Sequence, residues 1–140
     1  MNRYIEFNAV KFLKESRGWE AEKKRLQAEM DELAQLKGAG DSPARSSGPG
    51  DSTGAAVIER DRIQSQIDRI NLYQAALSYA WDNLSEAFRD VLTAFFFTGG
   101  YMSRNVREYG SKYGMCIKLV YSQRRKALDE LSRLIARRYL

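Results

Sequence analysis

The stretch "EYGSKYGMCIKLVYSQRRKAL", residues 108–128, decides the fold of the C-terminal part of the chain. It contains two short amphipathic runs on either side of Gly114, and glycine readily adopts the left-handed backbone that a tight turn between helices needs. Gly110 lies four positions before this turn, and Val120 lies six positions after it. A small residue, a turn glycine and a β-branched anchor at these offsets predict a helix-turn-helix.

The second helix of this pair is predicted to begin at Ile117 and to reach about Arg138. The residues that can face inward are Val120, Ala127, Leu128, Leu131 and Leu134. The residues predicted to project outward at or near the turn are Lys118, Tyr121, Ser122, Arg124 and Arg125. Such a helix fits the major groove of DNA, with its early residues at base edges and its cations against phosphates. A solvated basic face on a core helix is the alternative interpretation.

Basic residues are concentrated at the C-terminal end of the sequence. The 140 residues include 23 Lys or Arg and 18 Asp or Glu, which gives a net charge of +5. Residues 101–140 alone contain ten Lys or Arg and three Asp or Glu, a net charge of +7, so the first 100 residues have a net charge of −2. This distribution, together with the predicted turn, favours DNA as the partner of the last forty residues.

The composition excludes several classes of site. The single cysteine, Cys116, leaves no intramolecular disulfide, and the lack of histidine removes common zinc sites and histidine-based catalysis. We therefore expect no catalytic residue, no metal, no cofactor and no enzymatic activity. No apolar run approaches the roughly 20 residues that span a membrane, and the N-terminus has no signal-peptide pattern. We expect a soluble, cytoplasmic protein that does not bind a membrane.

The first part of the chain, residues 1–83, predicts a helical hairpin or coiled-coil arm with a flexible Gly/Ser/Pro-rich loop over 38–55. One helix is expected over residues 3–36 and a second from about residue 55 to 83. Their apolar residues recur every seven positions: Ile5, Phe12, Trp19, Leu26 and Leu33, then Ile63, Ile70, Leu77 and Leu84. Each stripe needs a partner, which leaves open a hairpin within one chain, a homodimer through the arm, and docking to another protein.

The segment "LSEAFRDVLTAFFFTGG", residues 84–100, predicts a further helix with Ser85 as its N-cap and the two glycines as its stop. Its apolar face is formed by Phe88, Val91, Leu92, Phe95 and Phe96. Ser103 is predicted to cap the next helix. The fold class is therefore all-α, with the long N-terminal hairpin followed by a C-terminal helix-turn-helix domain over residues 84–140.

That segment, followed by "VREYGSKYGMCIKLVYSQRRKALDEL", resembles region 4 of sigma-70-type RNA polymerase sigma factors over about residues 84–134. The basic-Ala-Leu-x-x-Leu pattern that ends the recognition helix stands at residues 125–131. The whole layout is similar to the small phage-encoded transcription regulators of the RinA/ArpU type. The resemblance implies groove contacts by Lys118, Tyr121, Ser122 and Arg125, and phosphate contacts by Lys112 and Arg124.

The leading hypothesis is a sequence-specific DNA-binding transcription regulator, encoded by a phage or prophage and acting at promoters. The resemblance further implies contact with host RNA polymerase. No segment resembles the sigma region that melts promoter DNA, which favours an activator or accessory regulator. The alternative is a protein-interaction module whose helical arm binds RNA polymerase or another partner without contacting DNA. The target sequence, activation or repression, and the oligomeric state stay open.

Overall fold

The computed structural model describes residues 7–39 and 51–139, and every regular element in these ranges is helical. The helices are α1 (Ala9–Ser16), α2 (Trp19–Ala39), α3 (Asp51–Asn83), α4 (Glu86–Leu92), α5 (Met102–Tyr113) and α6 (Ile117–Tyr139). A π-helical turn, Thr93–Phe97, continues α4. The predicted all-α class is confirmed for this part of the chain. None of the helices it contains has both the length and the apolar character needed to cross a bilayer.

The described residues fall into two compact units, one of residues 7–17 and 75–139 and the other of residues 18–39 and 51–74. The sequence predicts a division after residue 83 instead. The units differ from that prediction because α1 packs against α6, and so does the last part of α3. The ring of Tyr79 lies 6.1 Å from that of Tyr139, whose hydroxyl donates to the carbonyl of Ala75 at 3.4 Å.

The prediction of a single helix over residues 3–36, based on apolar residues at every seventh position, is wrong because the chain turns at Gly18. Glycine is a poor helix former, and its carbonyl here accepts the N–H of Glu22 at 2.9 Å, which starts α2. Phe12 and Trp19 are neighbours in the predicted row, yet they belong to different helices and different units. Ile5, the first member of the row, lies outside the described residues.

The predicted loop over residues 38–55 is wrong at both ends. α2 continues to Ala39 and α3 begins at Asp51, while residues 40–50 lie outside the described residues. Asp, Ser and Thr are typical both of loops and of the first turn of a helix. Composition alone therefore places the start of such a helix too late.

In the unit of residues 18–74, α2 and the first part of α3 pack against each other in antiparallel order. The ring of Trp19 at the start of α2 lies 5.8 Å from that of Tyr73. One turn further along α2, Lys23 Nζ donates to Asn71 Oδ1 at 3.1 Å. The contact position in α3 therefore falls from residue 73 to 71 as that in α2 rises from 19 to 23. Other apolar side chains of this unit are buried: Leu26, Ile63 and Ile70.

The core of the other unit lies where α6 packs against α1, α4 and α5. Ser85 caps α4 as predicted, since its hydroxyl accepts the N–H of Phe88 at 3.3 Å. The inward face predicted for α6 is confirmed, although Leu128 is only half-buried and Ile135, which was not predicted, is buried. The side chains of this unit that are fully withdrawn from solvent are Leu13, Ala80, Val91, Leu92, Val120, Ala127 and Leu131.

A buried amide holds the π-helical turn to α5. Asn105 is 5% exposed, and its Nδ2 donates to the carbonyls of Ala94 and Thr98 at 3.3 Å and of Gly99 at 3.4 Å. Carbonyls at the end of a helix have no partner within it, and burial without a hydrogen bond is costly. Asn105 therefore stabilises the end of one helix by means of a side chain from the next.

The predicted N-cap at Ser103 is wrong, because α5 already begins at Met102. Tyr101 occupies the cap with an extended backbone and no side-chain hydrogen bond. Its carbonyl accepts the N–H groups of Arg104 and Asn105, each at 3.1 Å. The Asn105 amide also binds the carbonyls of Thr98 and Gly99, which lie just before this cap.

We expect Asn105→Ala to lower the free energy of unfolding by about 1–3 kcal/mol, because three carbonyls lose their donor. Chemical denaturation followed by far-ultraviolet circular dichroism measures the change. Ser103→Ala, exposed on the same helix, is the matched control and should change stability by less than about 0.5 kcal/mol. Equal stability of Asn105→Ala and the wild type would contradict this role.

Candidate nucleic-acid interface

α5 and α6 are joined by a three-residue turn that starts at Gly114. This glycine has the predicted left-handed backbone, with φ 66° and ψ 36°, which costs other residues about 1–2 kcal/mol. The N–H groups of Gly114 and Met115 both donate to the carbonyl of Gly110, the second at 2.8 Å. The carbonyl of Cys116 then accepts the N–H of Val120 at 3.0 Å. These hydrogen bonds end α5 and start α6 within the three residues of the turn.

A close approach at Gly110 fixes the direction in which α6 leaves the turn. A Cβ atom at this position would lie 2.5 Å from the carbonyl oxygen of Met115 and 3.4 Å from Cγ2 of Val120. A backbone carbonyl in a tight turn cannot move aside as a flexible side chain does, so even a methyl group would push α6 away from α5. Val120 is fully buried beneath the turn. The close approach at Gly110 and the burial of Val120 agree with the offsets of a small residue and a β-branched anchor seen in the sequence.

The side of α6 opposite Val120 is open to solvent. Lys118 and Arg125 are exposed, Ser122 is half-buried, and Tyr121 is 49% exposed. At 3.6 residues per turn, Lys118, Ser122 and Arg125 share one face, and Tyr121 stands at its edge. Four of the six predicted contact residues therefore lie together; we call these four the outward face of α6.

An aromatic ring of the π-helical turn supports the edge of this face. The rings of Phe95 and Tyr121 meet edge to face, with centroids 5.3 Å apart and planes at 71°. Such pairs contribute about 0.5–1.5 kcal/mol beyond the area they bury. Tyr121 is therefore restrained in orientation although half of its surface is free.

Arg124 was predicted to project outward, and this prediction is wrong. Its guanidinium lies over the rings of Phe95 and Phe96, with the carbon 5.1 and 5.4 Å from the two centroids. Its Nε is buried and has no hydrogen-bond partner among the described residues. The reason is helical spacing: Arg124 follows the buried Val120 by one turn and therefore starts on the inward side. A cation over aromatic rings is stabilised there by the ring quadrupole.

Lys112 lies on α5 and is paired with Asp90 of α4. Its Nζ is 2.8 Å from Asp90 Oδ2, and the Tyr113 hydroxyl donates to the same oxygen. The hydrogen bonds from Lys112 and then Tyr113 lower the pKa of the Asp90 carboxyl, and Asp90 raises the pKa of Lys112. Lys112 stays largely exposed, so a phosphate reaches it only in competition with Asp90.

Sequence reasoning did not assign Asp90 and Phe95 to this surface. Phe95 is only half-buried, although its helical spacing places it on the core face of its segment. Both residues act on side chains more than 20 positions away, on α5 or α6. Which side chains meet depends on how the helices cross, and periodicity within one helix carries no signal for such pairs.

The charged residues in the first turns of α6 are all basic. Residues 117–126 include Lys118, Arg124, Arg125 and Lys126, and no acidic residue. A helix face of this kind attracts a polyanion and concentrates it at the surface.

No protein-family model, curated protein or solved structure matches the chain.

We expect Gly110→Ala to lower the free energy of unfolding by about 1–3 kcal/mol, because the new methyl group overlaps the Met115 carbonyl. The clash should outweigh the gain of roughly 1 kcal/mol that alanine brings to a helix interior. Urea denaturation of the two proteins measures the difference. In Gly99→Ala the new Cβ has nothing within 4 Å, so this control should be nearly neutral. A Gly110→Ala protein as stable as the wild type would contradict the close crossing.

Proposed function

We propose that the chain is a sequence-specific DNA-binding transcription regulator whose α5–α6 corner places α6 in the major groove. The observation that carries the proposal is the open, cationic outward face of α6, held in a fixed direction by the crossing at Gly110. An α-helix fits the major groove, and residues of its first turns reach base edges there. The outward face of α6 combines a cation, a hydroxyl and an aromatic edge at those positions.

The six candidate residues divide by role. Lys118, Tyr121 and Ser122 stand nearest the turn and are assigned to base edges, with Arg125 one turn further along the groove. Lys112 is assigned to a phosphate, which would replace Asp90 as its partner. Arg124 is held by aromatic rings, so its contribution to phosphate binding is smaller than its charge suggests.

Promoter DNA is the target that the sequence resemblance supports. Residues 84–134 resemble sigma region 4, and the layout is similar to phage regulators of the RinA/ArpU type. We therefore propose control of phage or prophage genes, with host RNA polymerase as a further partner. The separate helical unit of residues 18–74 offers a place for such a protein contact, or for a second copy of the chain.

A protein-interaction module is the second candidate. Exposed apolar side chains of α3 include Val57 and Leu72, and such side chains favour contact with a protein. α2 and the first part of α3 carry acidic and basic residues in mixture. We prefer DNA binding to the interaction module because the first turns of α6 carry basic residues and no acidic residue. Such a surface suits the phosphates of a duplex.

We expect a gel-shift assay with duplexes selected from a random pool to show binding that weakens steeply with salt, because the cations displace counterions from phosphates. Lys118→Ala/Arg125→Ala should weaken binding about tenfold or more at fixed salt and reduce the slope of log affinity against log salt by up to about two. The matched control, Lys24→Ala/Arg69→Ala, removes the same charge from exposed positions on α2 and α3. It should retain most of the affinity.

Equal losses in the two double variants would mean that net charge, rather than the outward face of α6, governs binding. Failure of the wild type to bind any duplex at low salt would contradict the proposal. Capture of RNA polymerase by such a protein would instead support the interaction module.

A further inference from the structure

The first turn of α6 exposes two aliphatic side chains beside its cations. Ile117 is 57% exposed and Leu119 is 54% exposed. They are the nearest neighbours of Lys118 in the chain, and the 100° step of the helix places one on each side of it. Single exposed apolar residues are common on protein surfaces. Here an exposed aliphatic pair brackets a cation in the first turn of α6, and this combination suits a ligand that presents apolar groups beside hydrogen-bond acceptors.

Duplex DNA offers that chemistry in its major groove. The thymine 5-methyl is the apolar group that base pairs present there, and guanine presents two acceptors, O6 and N7, that suit a lysine. A protein partner fits the pair less well, because lysine is depleted at the centres of protein interfaces. Arg125 and Lys126 extend the positive charge along the same helix, which complements the phosphates on both sides of the groove.

We propose that Ile117 and Leu119 are specificity-determining residues that contact thymine methyl groups on either side of a base contacted by Lys118. This inference rests on the proposed DNA-binding function and adds the chemical class of base that the site prefers. The preferred duplex therefore contains a thymine methyl on each side of the base that receives Lys118.

Both side chains can be truncated without disturbing the fold. Each is more than half exposed, and alanine is the strongest helix former, so Ile117→Ala and Leu119→Ala should keep their helicity. Ile58→Ala is the matched control, because Ile58 is an aliphatic residue of α3 that is 69% exposed. Circular dichroism of all three variants verifies that the fold is retained.

The test replaces each thymine of a selected duplex, one at a time, with deoxyuracil. This exchange removes the 5-methyl group and keeps the base pairing and the other groove atoms. We expect the wild type to lose roughly fourfold in affinity at each of two thymines, the value for one buried methyl group. Ile117→Ala and Leu119→Ala should each lose the sensitivity to one of these thymines, whereas Ile58→Ala should behave like the wild type.

The outcomes separate this inference from the function on which it rests. Duplex binding with no deoxyuracil sensitivity, or with equal sensitivity in the wild type and both α6 variants, overturns the methyl contacts and leaves DNA binding intact. Failure of the wild type to bind any duplex at low salt overturns both. Loss of binding to a captured protein, in place of DNA, by the two α6 variants would assign the aliphatic pair to a protein interface and overturn the inference.

Discussion

The contact between Gly110 and the Met115 carbonyl is the constraint on which the rest of the α5–α6 corner depends. Because Gly110 in the last turn of α5 has no side chain, the Met115 carbonyl can lie against it, and the turn needs only three residues. Gly114 supplies the backbone conformation for that turn, and Val120 is drawn into the core beneath it. Since Val120 faces the core, the opposite side of the first turns of α6 faces solvent. The packing at Gly110 therefore leaves a cationic surface exposed.

The corner could be predicted from the sequence because its determinants are local. The turn glycine, the small residue four positions earlier and the start of α6 all lie within a few residues of one another. The break at Gly18 could not be predicted in the same way, since the seven-residue row continues through it. Asn105 was also missed: its amide matters only because the π-helical turn leaves carbonyls within its reach. Contacts between separate helices are decided by packing rather than by periodicity.

The environment of each cation on the candidate surface also depends on contacts between helices, which the sequence alone does not give. The sequence counts cations, and the net charge of +7 over residues 101–140 treats them as equivalent. The structure separates them: Lys118 and Arg125 are open to solvent, Arg124 lies over aromatic rings, and Lys112 is paired with Asp90. The charge free to meet a polyanion is therefore smaller than the total. Lys118 and Arg125 share one face of α6, and this arrangement favours a specific docking geometry over diffuse attraction.

The most direct test of this account is an amide ¹H–¹⁵N spectrum of the full chain, titrated with a short DNA duplex at low salt. The account predicts that the resonances of residues 117–126 shift first and most strongly, and that those of residues 19–35 in α2 stay close to their free positions. Raising the salt should reverse the shifts, because the phosphate contacts are electrostatic. Shifts confined to α2, or no shift in the first turns of α6, would contradict the claim that α6 meets the duplex.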